Sequence, residues 1–217
     1  MIVKKIFYSL ALIVAVTGVA LQLWLTKLSQ ERAAAQGQVL GSPERFRNYA
    51  TVPDFQFTDR SGQRVSLKDL KGKVWLANFV YTTCPTTCPM LSNRFSSLQE
   101  KALAAAENDS VRMVSFSVDP DHDTPEVLKG YADALKATEK WLFLTGPREQ
   151  IERVAREGFL VGFQKVPGVS NDISHSTKIA LVDRNGVVRA YYDGVGENDE
   201  SPKILDDLQT LLKESRP

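Results

Sequence analysis

The pattern of hydrophobic and polar positions divides the chain near residue 52. Ahead of it lies one long apolar segment, IFYSLALIVAVTGVALQLWL at residues 6–25, which follows Lys4 and Lys5 and carries no charge. Its length matches the ~20 helical residues that cross a hydrocarbon core of about 30 Å. The two lysines favour a cytoplasmic N-terminus, with the remainder exported. A cleaved signal peptide is the alternative, Ala33, Ala34 and Ala35 offering small residues to a peptidase, but its apolar region would run to only about 7–15 residues. Residues 27–50 mix charge with small side chains and read as a tether.

From Val52 onward the pattern is that of an α/β domain. Within 55–67, FQF and RVSL flank the glycine-containing DRSGQ and predict a hairpin. VWLANFVY at 74–81 is a nearly continuous apolar run, as expected of a strand buried on both faces of a sheet. VRMVSFSV at 111–118 and WLFLT at 141–145 predict two more core strands. Between these runs, Met90, Leu91, Phe95, Leu98, Ala102 and Leu103 recur near a 3.6 period and predict a helix to about Ala105. Val127, Leu128, Tyr131, Ala132 and Leu135 predict a second, with Asp123 or Thr124 as its cap and Pro125 in its first turn. Pro147 opens a third helix carrying Ile151, Val154 and Ala155. KIALVDRNGVVRAYY at 178–192 predicts a hairpin turning at 183–186, and Ile204, Leu205, Leu208, Leu211 and Leu212 form the stripe of a final helix. A three-layer α/β sandwich is the economical packing of this order. The expected organisation is a membrane anchor at 1–26, a tether at 27–50 and one domain at 51–217.

Composition narrows the function. With 43% hydrophobic and 24% charged residues among 217, the domain can bury a core without staples. Lys plus Arg number 27 against 26 Asp plus Glu, so there is no broad field for nucleic acid and function must lie in a local site. Both cysteines fall in YTTCPTTCPML, residues 81–91, directly after a buried strand and at the entry of a helix, where sites are usually built in such sheets. Pro89 suits a first helical position, which would make Cys88 the N-cap and leave Cys84 in the loop. A helix N-terminus stabilises anions, so Cys88, and Cys84 with it, is expected to ionise more readily than an ordinary thiol. The CxxxC spacing permits a disulfide between Cys84 and Cys88, but closing so short a loop removes little chain entropy, so a redox or metal role is favoured over a structural staple.

Two histidines could complete such a site. His122 sits among Asp119, Asp121 and Asp123, which read chiefly as turn and capping residues. His175 directly precedes the core strand KIALV, in a loop able to reach the sheet edge of the cysteines. Structural zinc would want four ligands. Two soft sulfurs and one imidazole suit Cu(I), and Cu(II) would use the same cysteines in a different geometry.

YTTCPTTCPML after an apolar strand, SVDPDHDTPEVLKGYA, FLTGPREQIERVA and His175 before VDRNGVVRAYYDG together resemble the SCO/SenC family of membrane-anchored copper-binding cytochrome c oxidase assembly proteins. The resemblance runs from about Val52 to Leu212 and includes the anchor. It implies a thioredoxin-like α/β/α fold in which Cys84, Cys88 and His175 bind one copper ion, Cu(I) or Cu(II). It also implies a part in maturing the dinuclear copper centre of cytochrome c oxidase, as copper donor or as reductant of that centre's cysteines. The implied partners are the oxidase subunit carrying that centre and, beside it, another copper chaperone or a thiol reductant. The implied place is a single-pass inner-membrane protein with its domain on the periplasmic side. Asp119 and Pro120 match the family's DP element. His122 stands where members often carry Arg, and Ser174 precedes His175 where many carry Asp; Asp172 is the candidate to orient the imidazole instead. The enzymatic alternative is a thiol-disulfide reductase working through Cys84 and Cys88. Peroxiredoxins would place a proline before the threonine near their cysteine, and thioredoxin-type exchangers a proline where Ser176 and Thr177 stand.

Overall fold

The computed structural model describes residues 45–85, 87–105, 109–162, 164–165, 173–174 and 176–214, with Gln22, Trp24 and Lys27. The expected anchor at 6–25 lies outside the described residues save for Gln22 and Trp24, and among the described residues no helix is long and apolar enough to cross a membrane. One compact unit runs from Phe46 to Pro217. It takes in residues that the apolar pattern alone assigns to the tether: Phe46 is buried, and Tyr49 meets Tyr191 edge-on at 5.0 Å.

The strands are β1 (Ala50–Thr51), β2 (Gln56–Asp59), β3 (Arg64–Ser66), β4 (Val74–Val80), β5 (Val111–Ser117), β6 (Trp141–Thr145), β7 (Gln164–Lys165), β8 (Ile173–Ser174), β9 (Lys178–Val182) and β10 (Val187–Asp193). Eight of them form one sheet in the order β1-β10-β9-β4-β5-β6-β2-β3, while β7 and β8 pair separately. β4, β5 and β6 are mutually parallel, and β9 runs antiparallel to β4. Every residue of β4 is buried, as its unbroken apolar run requires of a central strand.

The helices are α1 (Leu67–Leu70), α2 (Thr87–Ala104), α3 (Pro125–Ala134), α4 (Arg148–Arg153) and α5 (Ser201–Lys213). Because β4, β5 and β6 follow one another in space, right-handed crossovers put α2 and α3 on the same face. There Ser92 and Tyr131 share a hydrogen bond of 2.8 Å, and Ser96 donates to the Leu135 carbonyl at 2.9 Å. α5 packs beside α2. On the opposite face α4 continues into a π-turn (Val154–Gly158) that delivers Phe159 against Phe79 and Trp75, with ring centroids 5.2 and 5.9 Å apart. The result is the expected three-layer arrangement around two aromatic cores.

Local chemistry sets the boundaries. Thr124 caps α3, its hydroxyl accepting from the Val127 amide at 3.4 Å, with Pro125 at the first helical position. In the β9–β10 turn, Asp183 Oδ1 accepts from the Asn185 and Val187 amides at 2.9 and 3.0 Å, and Gly186 takes φ +82, a region that favours glycine. Replacing Thr124 by alanine is expected to cost about 1 kcal/mol. That lowers the thermal midpoint by about 2–4 °C, and a variant melting with the parent would show that Pro125 alone defines the helix start.

Candidate metal and thiol site

At the carboxyl end of β4 the chain turns through Tyr81, Thr82 and Thr83, and the Cys84 amide donates to the Tyr81 carbonyl at 3.3 Å. α2 then begins at Thr87, so Cys88 and Pro89 are its second and third residues and not its cap and first position. Proline is tolerated there because the first-turn amides have no intrahelical acceptor. The Cys88 amide instead donates to Cys84 Sγ at 3.3 Å, and Thr87 Oγ1 lies 3.9 Å from the same sulfur. Both cysteines are buried, Cys84 at 7% exposure and Cys88 at 0%.

The helix entrance therefore serves Cys84, whose sulfur sits over an amide of the first turn. Cys88 goes the other way from the expected ionisation. Burial pushes its thiol well above the usual range, the Tyr81 backbone amide pulls it back in part, and the neighbouring Cys84 and Asp123 push it further up. Desolvation of a thiolate inside the core outweighs the fractional charge of a helix end. Tyr131, across the α2–α3 contact, is pushed up to about 12, first by burial and lastly by the two cysteines and Asp123, while Ser92 pulls it down.

The loop between β5 and α3 supplies the wall beside the cysteines. Asp123 is fully buried and is a hub, not a cap. Its carboxylate accepts from the Thr82 amide at 3.2 Å, from Thr82 Oγ1 at 2.5 Å, from Ser117 Oγ at 2.6 Å and from His122 Nδ1 at 3.1 Å. Since a carboxylate only accepts, the last contact assigns the proton to Nδ1 of His122. The His122 ring is about half exposed and also lies 3.3 Å from Thr82 Oγ1. Asp119 and Asp121 behave as the turn residues they resemble in sequence, facing Arg148 at 3.6 and 2.7 Å. Sequence reasoning treats the three aspartates alike because spacing alone does not tell which one the turn points inward.

The third expected ligand, His175, lies outside the described residues, as does Asp172. Its neighbours Ser176 and Thr177 lead into β9. The antiparallel register, with Ala77 opposite Ala180 and Trp75 opposite Val182, sets the start of β9 at the same sheet edge as the end of β4. The Thr177 carbonyl accepts from the Gly194 amide at 3.0 Å. A Cβ at Gly194 would stand 2.1 Å from Leu91 Cδ1 and 2.5 Å from the Thr177 oxygen. Leu91 lies one turn beyond Cys88, so Gly194 lets the cysteine helix and the approach to β9 close on each other. Among the described residues no three His, Cys, Asp or Glu side chains are grouped to hold a metal ion.

The family profile of SCO1/SenC matches residues 44–213. The chain belongs to the SCO1/SenC family. A SCO1/SenC family lipoprotein from Bacillus anthracis strain Ames superposes with a TM-score of 0.72 at 34% identity, covering 79% of this chain and 100% of that one. BsSco, described as a member of the Sco family of cytochrome c oxidase assembly proteins with a disulfide switch, gives a TM-score of 0.69 at 37% identity over 79% of this chain and 98% of its own. ScoI of Bradyrhizobium japonicum, solved with copper bound, gives 0.62 at 31% identity over 73% and 99%. The thioredoxin-like α/β fold of SCO1/SenC proteins is thus the fold of this chain.

Proposed function

We propose that this SCO1/SenC protein is a membrane-tethered copper chaperone that serves maturation of the dinuclear copper centre of cytochrome c oxidase, holding one copper ion through Cys84, Cys88 and His175. The observation that carries the reading is the meeting of the two sulfur side chains at the entry of α2, with the Cys88 amide on Cys84 Sγ at 3.3 Å, on the sheet edge where β9 begins. The donor set fits: two sulfurs and an imidazole satisfy a soft monovalent copper ion without further ligands. Relatives named for copper or for oxidase assembly support the same chemistry. Both thiols must lose a proton on metal uptake, so affinity rises with pH and an internal disulfide abolishes it. In this reading the apolar segment 6–25 tethers the domain on the exported side.

A second reading, thiol-disulfide reductase, draws on the asymmetry of the pair. Cys84, facing a helix amide, would attack one sulfur of a partner disulfide and expel the other as a thiolate; the buried Cys88 would then displace Cys84's bond to the partner, leaving a Cys84–Cys88 disulfide and a reduced partner.

One titration separates the two. The full-length reduced protein in detergent is titrated with Cu(I) against a competing chelator, beside His175→Ala. The chaperone reading expects tight one-to-one binding by the parent and a loss of at least about a hundredfold in the variant, taking one ligand as roughly a quarter of the 10–16 kcal/mol that a four-ligand structural zinc site supplies. Unchanged affinity in the variant, or no tight binding in the parent, overturns it; disulfide reduction retained by His175→Ala would favour the reductase.

A further inference from the structure

We propose that Asp123 is a positioning residue for the thiol pair: it fixes Thr82 and, through the turn that follows, the place of Cys84 over the first turn of α2. The inference rests on Cys84 and Cys88 being the working sulfurs, as argued above. A fully buried carboxylate is costly unless its oxygens are satisfied, and Asp123 gathers donors from the cysteine loop, the end of β5 and its own loop. Capping does not account for it, because α3 has its own cap in Thr124. Holding the sheet does not account for it either. β4 and β5 stay paired to Val80 and Ser117, and the Val118 amide closes on the Val80 carbonyl at 2.9 Å.

What Asp123 adds begins at Thr82, beyond the last of these sheet bonds. Between there and Cys84 the Cys84 amide reaches back to the Tyr81 carbonyl at 3.3 Å, and the double hold of Asp123 on the Thr82 amide and hydroxyl helps set where that turn stands. The Cys84 sulfur, the Cys88 amide beneath it and the Cys88 sulfur then keep a fixed relation. A pair held in register closes to a disulfide with a high effective concentration, and loosening one partner lowers it.

The test reads thiol chemistry and needs no metal. Full-length protein in detergent is equilibrated with glutathione buffers; Cys84 and Cys88 give two protons and two electrons to oxidised glutathione, which becomes two reduced glutathione molecules. Asp123→Asn keeps the shape but removes the charge and turns one of the two accepting oxygens, which Thr82, Ser117 and His122 share, into a donor. Its equilibrium constant for disulfide formation is expected to fall at least tenfold, about 30 mV in potential. Tyr192→Phe is the control for a merely structural loss. It removes the buried 2.7 Å bond from Tyr192 to Asp207 away from the loop, and should lower the thermal midpoint by a few degrees while moving the thiol equilibrium less than twofold. Combining Asp123→Asn with Thr82→Val should add little to Asp123→Asn alone, since both act through one contact.

A folded Asp123→Asn protein with the parent's equilibrium constant overturns the proposal, as does a Tyr192→Phe shift of equal size. Should Asp123→Asn fail to fold, Thr82→Val decides: a threefold or greater fall supports positioning, and the parent value overturns it. Because no copper enters, a parent that binds none would sink the chaperone reading and leave this result standing.

Discussion

Cys84→Ala and Cys88→Ala are each expected to weaken Cu(I) binding about a thousandfold, more than His175→Ala, because a thiolate is the softer and charged donor. The two variants should differ in the fold. Cys88 is at 0% exposure, so losing its sulfur leaves a small void worth about 1 kcal/mol. Its thiol, held up by burial, also makes the reduced parent sensitive to alkali. As pH rises through about 9 the unfolded chain releases this proton and the folded chain keeps it, so stability falls by about 1.4 kcal/mol per pH unit. Tyr131 and Tyr191, both pushed up to about 12 chiefly by burial, act in the same sense from about pH 10. Cys88→Ala is therefore less stable than the parent at pH 7 but loses stability less steeply between pH 9 and 10. Urea unfolding of the reduced proteins at pH 8, 9 and 10 reads the difference, and equal slopes for parent and Cys88→Ala would refute the buried thiol.

The parts of this architecture that the sequence makes legible are those with one dominant signal. β4, β5 and β6 announce themselves as apolar runs, the β9–β10 hairpin by Asp183 and Gly186, and α3 by Thr124 and Pro125. The site is legible as far as CxxxC after a buried strand. The remainder depends on competition between effects of similar size. Pro89 is acceptable at any of the first helical positions, so it does not fix where α2 begins, and the helix opens at Thr87. A helix end and a hydrophobic core pull a thiol in opposite directions, and which one wins at Cys88 is a matter of depth that periodicity does not encode. Asp123 differs from Asp119 and Asp121 only in the direction its side chain takes from the turn. Very short strands such as β1, β7 and β8 carry too few residues for an alternating pattern; β1 exists because the edge of β10 offers it partners, and β7 and β8 because they pair with each other.

Gly194→Ala is expected to be the most damaging single change away from the cysteines. Its Cβ would lie 2.1 Å from Leu91 Cδ1 and 2.5 Å from the Thr177 carbonyl oxygen. The leucine end can rotate only into filled space, since Leu91 is at 0% exposure, and the carbonyl is backbone. The strap on the other side is also held: Arg94 donates to the carbonyls of Asp193 at 3.3 Å and Gly196 at 3.1 Å, and Asp193 Oδ1 accepts from the Val195 and Gly196 amides at 3.1 and 3.0 Å. With neither side free to yield, overpacking of this kind costs about 3 kcal/mol, or a fall of roughly 6–12 °C in thermal midpoint. The separation falls between the cysteine helix and the approach to β9. Copper affinity should therefore drop beyond what the lost stability explains at a temperature where the variant remains folded. Adding Leu91→Ala to Gly194→Ala removes one clash and leaves the other, so stability should return in part and not in full. A Gly194→Ala protein that melts with the parent would show that the two segments do not need to close, and a double variant restored to parent stability would show that Thr177 is not part of the constraint.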